Sequence, residues 1–108
     1  MIIRGGFNVY PAEVEAAIGA FSGVAQCAVL GRAVDGDEEV VAFIEPQAGA
    51  SIDTAALEQF LRGRLSPYKI PRRYEVMDRL PASPTGKLLK AALKPLLDPA
   101  PASQDNNG

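Results

Sequence analysis

The chain has 108 residues, a formal charge of −2 and a mean hydropathy of +0.02, which suits one compact domain and excludes both a fully disordered chain and a bundle of membrane spans. Acidic and basic residues nearly cancel, so no global field recruits DNA, RNA or an anionic membrane, and an anionic ligand must be met by local cations. Histidine is absent and Cys27 is the only cysteine, which removes Cys/His metal clusters, Cys-His dyads, Ser-His-Asp triads and an internal disulfide.

In chain order, MIIRGGFNVYP lacks the long apolar core and small-residue cleavage site of a secretory signal. No stretch reaches the length of a membrane span, and the cytoplasm is the expected location. IIRGGFNVY sets two short β-prone runs either side of Gly5-Gly6, a hairpin pattern, because glycine supplies the positive φ values of a tight turn. Pro11 suits the first turn of a helix, Glu13 and Glu15 favour the positive end of its dipole, and Val14, Ile18 and Phe21 share one face before Ser22-Gly23 stops it. Val24 to Leu30 and Val40 to Ile44 are apolar runs of strand length joined by the acidic turn AVDGDEE, which predicts an antiparallel pair. Cys27 lies in the first run and reads as a small core residue without chemistry.

Asp53 is placed to cap a second helix carrying Leu57, Phe60, Leu61 and Leu65, ended by Ser66-Pro67. RRYEVMD fits a third strand, LPASPTGKLLK a loop, and KLLKAALKPLL a short terminal helix stopped by Pro95 or Pro99. The last segment, DPAPASQDNNG, lacks periodicity and is expected to be a disordered tail over 98–108, leaving 1–97 as the domain. The predicted fold is α+β, with an N-terminal β-hairpin and a three-stranded, mainly antiparallel sheet packed with helices.

Two generic phosphate motifs fail. A nucleotide P-loop requires a glycine five positions before its second one and Ser or Thr after the lysine, where Gly86-Lys87 is accompanied by Pro81 and Leu88. RGGFNVYP carries adjacent glycines instead of the dinucleotide fingerprint G-x-G-x-x-G. By residue type alone, Lys87 reads as a solvated surface group. In SPYKIPRRY, Lys69, Arg72 and Arg73 suit either water or, beside Tyr68, a phosphate.

Three separated stretches, IIRGGFNVYPAEVE, SPYKIPRRYEVMDRLP and LPASPTGKLLK, make the chain resemble the small C-terminal domain of adenylate-forming enzymes, the superfamily of acyl-CoA synthetases, luciferase and peptide-synthetase adenylation domains. The resemblance spans nearly everything before the tail. It implies a two-step reaction in which a carboxylate attacks ATP to give an acyl-adenylate and pyrophosphate, and CoA then takes the acyl group. Lys87 matches the family's adenylation lysine, which would bridge the carboxylate and the α-phosphate, with Gly86 letting the backbone approach closely.

The resemblance also implies a mobile lid that swings between two poses. In the second, Gly5 and Gly6 would line the passage for the pantetheine arm, and Tyr68, Lys69 and Arg72 would meet the CoA nucleotide. ATP and coenzyme A are thus the implied substrates. Magnesium is expected through ATP in the full-length enzyme, and this domain contributes no metal site. The implied partner is a large N-terminal ATP-binding domain, since the chain starts just past the family's hinge position, and no activity is expected of the isolated domain. Phe7, often glutamate in relatives acting on aromatic acids, makes GGFNVYP resemble fatty and medium-chain acyl-CoA synthetases. Two alternatives stay open: a stand-alone binding or regulatory module acting in trans, and a lid domain that loads a carrier protein.

Overall fold

A computed structural model describes residues 1–98; of the tail expected over 98–108, all but Asp98 lies outside them. The element order is β1 (Ile2–Arg4), β2 (Phe7–Val9), α1 (Pro11–Gly19), β3 (Val24–Val34), β4 (Asp37–Pro46), α2 (Thr54–Arg62) and β5 (Arg73–Val76). Short 3₁₀ segments occupy Pro67–Lys69 and Lys90–Leu97. β1 and β2 form an antiparallel hairpin with Arg4 opposite Phe7, so Gly5 and Gly6 are a two-residue turn. Their φ values of 58° and 84° are the left-handed pair that such a turn needs. The second sheet has the order β3-β4-β5, with β3 antiparallel and β5 parallel to β4; the long β3–β4 ladder makes it mainly antiparallel, as expected, while the short parallel pairing of β5 is not specified by the sequence.

The central strand explains its own sequence. Val40 to Ile44 is unbroken apolar because both faces of the sheet are covered, so alternate side chains enter different cores. Val40, Ala42 and Ile44 join Val14 and Ile18 of α1 and Leu57 and Leu61 of α2. Val41 and Phe43 point the other way, onto Leu80, Leu93 and Leu97 from the C-terminal segment. Each fully buried Leu, Ile, Val or Phe contributes about 1.5–3 kcal/mol of transfer energy, which makes these clusters the main favourable term. Asp53 caps α2 by accepting from the backbone N–H groups of Ala55 and Ala56 at 3.0 and 3.2 Å, as its position predicted.

Several boundaries differ from the sequence reading. α1 ends at Gly19 with Ala20 as its cap, which leaves Phe21 beyond the helix. β3 and β4 run on to Val34 and Asp37 because a two-residue Asp35-Gly36 turn lets the ladder continue through polar residues. The second helix stops at Arg62, with Gly63 as its cap, and Leu65 is buried from the segment beyond. The expected terminal helix is a 3₁₀ run that begins only at Lys90, because Lys87 to Leu89 are held in a hairpin arm and Pro95 would thrust its ring against the carbonyl of Ala91 in an α-helix. Arginine side chains serve its end instead. Arg73 donates to the carbonyls of Leu96 and Leu97 at 2.8 and 3.0 Å, and Arg32 Nε donates to that of Leu97 at 2.9 Å.

Two carboxylates tie loops to this frame. Asp37 accepts the N–H of Gly5 at 2.8 Å, and Glu45 accepts the N–H of Leu80 at 2.8 Å and Gln26 Nε2 at 2.9 Å. The backbone donors of Gly5 and Glu38 hold Asp37 below its ordinary range, and the Gln26 amide followed by the Leu80 N–H does the same for Glu45. A lowered folded value means that the unfolded chain binds protons first. These bonds therefore stabilise the fold above the ordinary carboxylate range and are lost as pH falls through the folded values. The urea midpoint should fall as the solution is acidified below about pH 4, and Asp37→Asn should flatten part of that fall. Identical acid profiles for the variant and the parent chain would contradict this assignment.

Candidate functional site

The lysine loop is a small hairpin of its own. Pro81 O accepts from Leu89 N–H at 2.9 Å, Ala82 pairs with Leu88, and Ser83 N–H donates to Lys87 O at 2.8 Å. Gly86 N–H closes the turn onto Ser83 O at 2.8 Å, and Gly86 takes φ 89°. The three-residue loop Pro84-Thr85-Gly86, with glycine at the left-handed position, is a common hairpin solution. Space around Gly86 is open, with nothing within 4 Å of a Cβ placed there, so the domain itself demands glycine for conformation and not for close approach. Ser83 Oγ bonds Thr85 Oγ1 at 3.0 Å and accepts Lys87 N–H at 3.1 Å, which stiffens the tip.

Lys87 is exposed at this tip, and its ammonium forms no ion pair among the described residues. The cation stands on an ordered backbone with no acid of the described residues within ion-pair distance. Such a group can meet an anion brought by another body. Its flexible stem and compact charge suit such a contact.

The other expected residues gather at the opposite end of the sheet. Gly5 is tied to Asp37 at the start of β4, whereas Leu80, which leads into the lysine hairpin, is tied to Glu45 near the end of β4. Eight residue steps of strand separate these anchors, about 27 Å at the usual rise. Phe7, beside the Gly5-Gly6 turn, stacks on Tyr68 with ring centroids 4.7 Å apart, and Arg4 Nη1 donates to the carbonyls of Tyr68 and Ile70 at 3.1 and 3.0 Å. The hairpin tip is thus fastened to the Tyr68 turn from both of its arms.

Lys69 is not a free cation. Its Nζ lies 2.9 and 3.0 Å from the two oxygens of Glu13, and that bond raises the lysine above its ordinary value. Arg72 differs: its side chain is exposed and unpaired among the described residues. It lines an open cleft of about 500 Å³ with Arg4, Arg62, Leu65, Pro67 and Ile70. The one acid at this cleft, Glu58, is engaged by Arg62 at 2.8 Å, so the cleft keeps an excess of positive charge. Sequence reasoning missed Arg4, Arg62 and Glu13. Arg4 adjoins the Gly5-Gly6 turn and could have been noticed there, but the other two reach the site only through tertiary packing.

Burial pushes the Cys27 thiol up to about 11, and the nearby Glu15 charge adds to this. Its Sγ donates to the carbonyl of Glu15, which agrees with the core reading. Among the described residues, no cluster of His, Cys, Asp or Glu could hold a metal ion, and no helix is long and apolar enough to cross a membrane.

The model of the AMP-binding enzyme C-terminal domain matches residues 13–87. The chain is 44% identical over 95 residues to a feruloyl-CoA synthase of Amycolatopsis sp, covering 87% of this chain and 19% of that protein. It is 41% identical over 94 residues to a long-chain-fatty-acid–CoA ligase of Bacillus subtilis, covering 86% and 17%. The crystal structure of ATP-bound MatB from Rhodopseudomonas palustris superposes with a TM-score of 0.82 at 37% identity, over 89% of this chain and 19% of that one. The chain therefore spans about a fifth of the length of the relatives it matches. With the match running from α1 to the exposed lysine, the chain belongs to the AMP-binding enzyme C-terminal domain family.

Proposed function

We propose that the chain acts as the C-terminal domain of an ATP-dependent acid–CoA ligase and that Lys87 serves acyl-adenylate formation. The observation that carries this reading is the exposed, unpaired ammonium on an ordered hairpin, far along β4 from the Gly5-Gly6 turn. In the first step a carboxylate oxygen bonds the α-phosphorus of ATP and the bond to pyrophosphate breaks. Both reactants are anionic, so a positioned ammonium offsets their repulsion and stabilises the added charge of the transition state. The large N-terminal domain would supply the rest of that site, and magnesium would arrive with ATP.

In the second step the CoA sulfur bonds the acyl carbon, the bond to AMP breaks and the thiol proton is released. The opposite end of the domain would face this reaction, with Gly5 and Gly6 along the pantetheine arm and Tyr68 and Arg72 near the nucleotide. The separation of the two ends supports a lid that presents one and then the other. The acid is proposed to be a fatty or medium-chain one, on the resemblance carried by Phe7 in GGFNVYP. Identity over this domain follows the acid weakly, since relatives named for ferulate and for long-chain fatty acids stand at 44% and 41%. The cytoplasm, where ATP and CoA both occur, is the proposed location.

In the full-length enzyme, Arg72→Ala should raise the apparent KM for CoA about tenfold and leave that for ATP unchanged, as expected for one charge-assisted contact to phosphate. Lys69→Ala should move it less, because Glu13 already engages that ammonium. Steady-state kinetics with each substrate varied would read both effects. An unaltered CoA dependence in Arg72→Ala would remove the nucleotide contact, and comparison of free CoA with a carrier protein as acceptor would settle which thiol is used.

A further inference from the structure

The lysine hairpin has two arms, and they are held differently. Leu88 of the downstream arm packs part-buried against the second core cluster, and the segment beyond it is pinned by Leu93 and Leu97. The upstream arm is fixed at Leu80, whose side chain is 4% exposed in the same cluster and whose N–H reaches Glu45 Oε1 at 2.8 Å. From Leu80 the register is continuous: Pro81 with Leu89, Ala82 with Leu88, Ser83 with Lys87. A shift of Leu80 along the sheet therefore moves Ser83, and with it Lys87.

Glu45 is itself held. The same Oε1 that accepts from Leu80 accepts from Gln26 Nε2 at 2.9 Å, across the β3–β4 ladder where Gln26 and Glu45 are paired. Ionised acceptors make shorter and stronger bonds than neutral ones, and two donors converging on one oxygen fix its direction. Glu45, Leu80, Ala82 and Gly86 border one shallow depression, so the carboxylate lies under the hairpin that carries the lysine.

We propose that Glu45 is a positioning residue for Lys87, setting the height and register of the lysine hairpin on the sheet through the Leu80 N–H. This rests on the reading of Lys87 given above. Glu45 touches neither reactant; it acts on the first step through the placement of the ammonium, and the second step does not depend on it. A displacement of about 1 Å at a reacting centre can cost roughly a hundredfold in rate, so a single anchoring bond is sufficient to matter.

The test uses Glu45→Ala, Glu45→Gln and Lys87→Ala in the full-length enzyme, with acyl-adenylate formation and thioester formation from supplied adenylate measured separately. Hydrogen exchange of the peptide spanning Leu80 to Leu89 is followed alongside. Glu45→Ala should slow adenylate formation between about tenfold and a hundredfold and leave thioester formation unchanged. Glu45→Gln, which keeps the acceptor oxygen, should restore most of the rate. Exchange over 80–89 should speed up in the alanine variant only.

Loss of both half-reactions together without rescue by glutamine would mark Glu45 as a general stability residue and overturn the proposal. Normal adenylation in Glu45→Ala beside a slow Lys87→Ala would overturn the positioning role and leave Lys87 in place. Normal adenylation in Lys87→Ala would remove the reading of Lys87 and the positioning role together.

Discussion

Replacing Lys87 by alanine should slow acyl-adenylate formation in the full-length enzyme by roughly two to three orders of magnitude, the range seen when one preorganised electrostatic group is removed from a reacting centre. The magnitude follows from placement. The lysine is on a backbone already ordered by the Ser83 and Gly86 bonds, so little has to be reorganised when the reactants arrive. Its side chain is exposed and makes no ion pair among the described residues, so its removal should change folding stability by less than about 0.5 kcal/mol. Lys87→Arg should recover only part of the rate, because a planar fork on a different stem does not present a compact charge at the same point. ATP–pyrophosphate exchange reads the rate, and urea unfolding reads the stability.

Phe43→Ala should have the largest effect on the fold, about 3–5 kcal/mol from the lost transfer energy and the cavity left behind. Phe43 is 1% exposed at the centre of β4 and packs in the cluster that holds Leu80, Leu93 and Leu97 against the sheet. A domain of this size has only about 5–15 kcal/mol in total, so the loss is a large share of it. Urea unfolding should show the midpoint dropping with little change in slope. Near the new midpoint both half-reactions should fall together, since unfolded molecules do neither. A midpoint within experimental scatter of the parent would mean that the second cluster contributes little.

Elements with a local signal were legible in the sequence: the Gly5-Gly6 hairpin, the Pro11-started helix, the Asp53 cap and the strand carrying Val40 to Ile44. The first three rest on residues whose conformational limits or capping chemistry act within a few positions, and the strand on its unbroken apolar run. The terminal segment misled because apolar spacing in KLLKAALKPLL suits a helix, whereas hairpin pairing takes its first residues and Pro95 interrupts the remainder. The parallel pairing of β5 with β4 has no local sequence mark, since it depends on where a long connection returns.

At the site, Lys87, Gly86, Gly5 and Gly6 could be singled out because each lies in a short recognisable stretch. The surroundings that define their chemistry could not. Nothing near Lys69 in the sequence announces Glu13, which lies 56 residues away, and the Phe7–Tyr68 stack joins the first and second motif-bearing segments only in the folded chain. The anchoring of the lysine hairpin by Glu45 is of the same kind, a bond between positions 35 apart.

Supplying preformed acyl-adenylate and CoA to the Lys87→Ala enzyme tests most directly whether this ammonium acts in adenylation alone. Thioester formation should proceed within about threefold of the parent rate while adenylate formation from ATP is nearly lost. Equal slowing of the two reactions would assign Lys87 to the architecture of the lid and contradict its proposed role at the meeting point of carboxylate and α-phosphate.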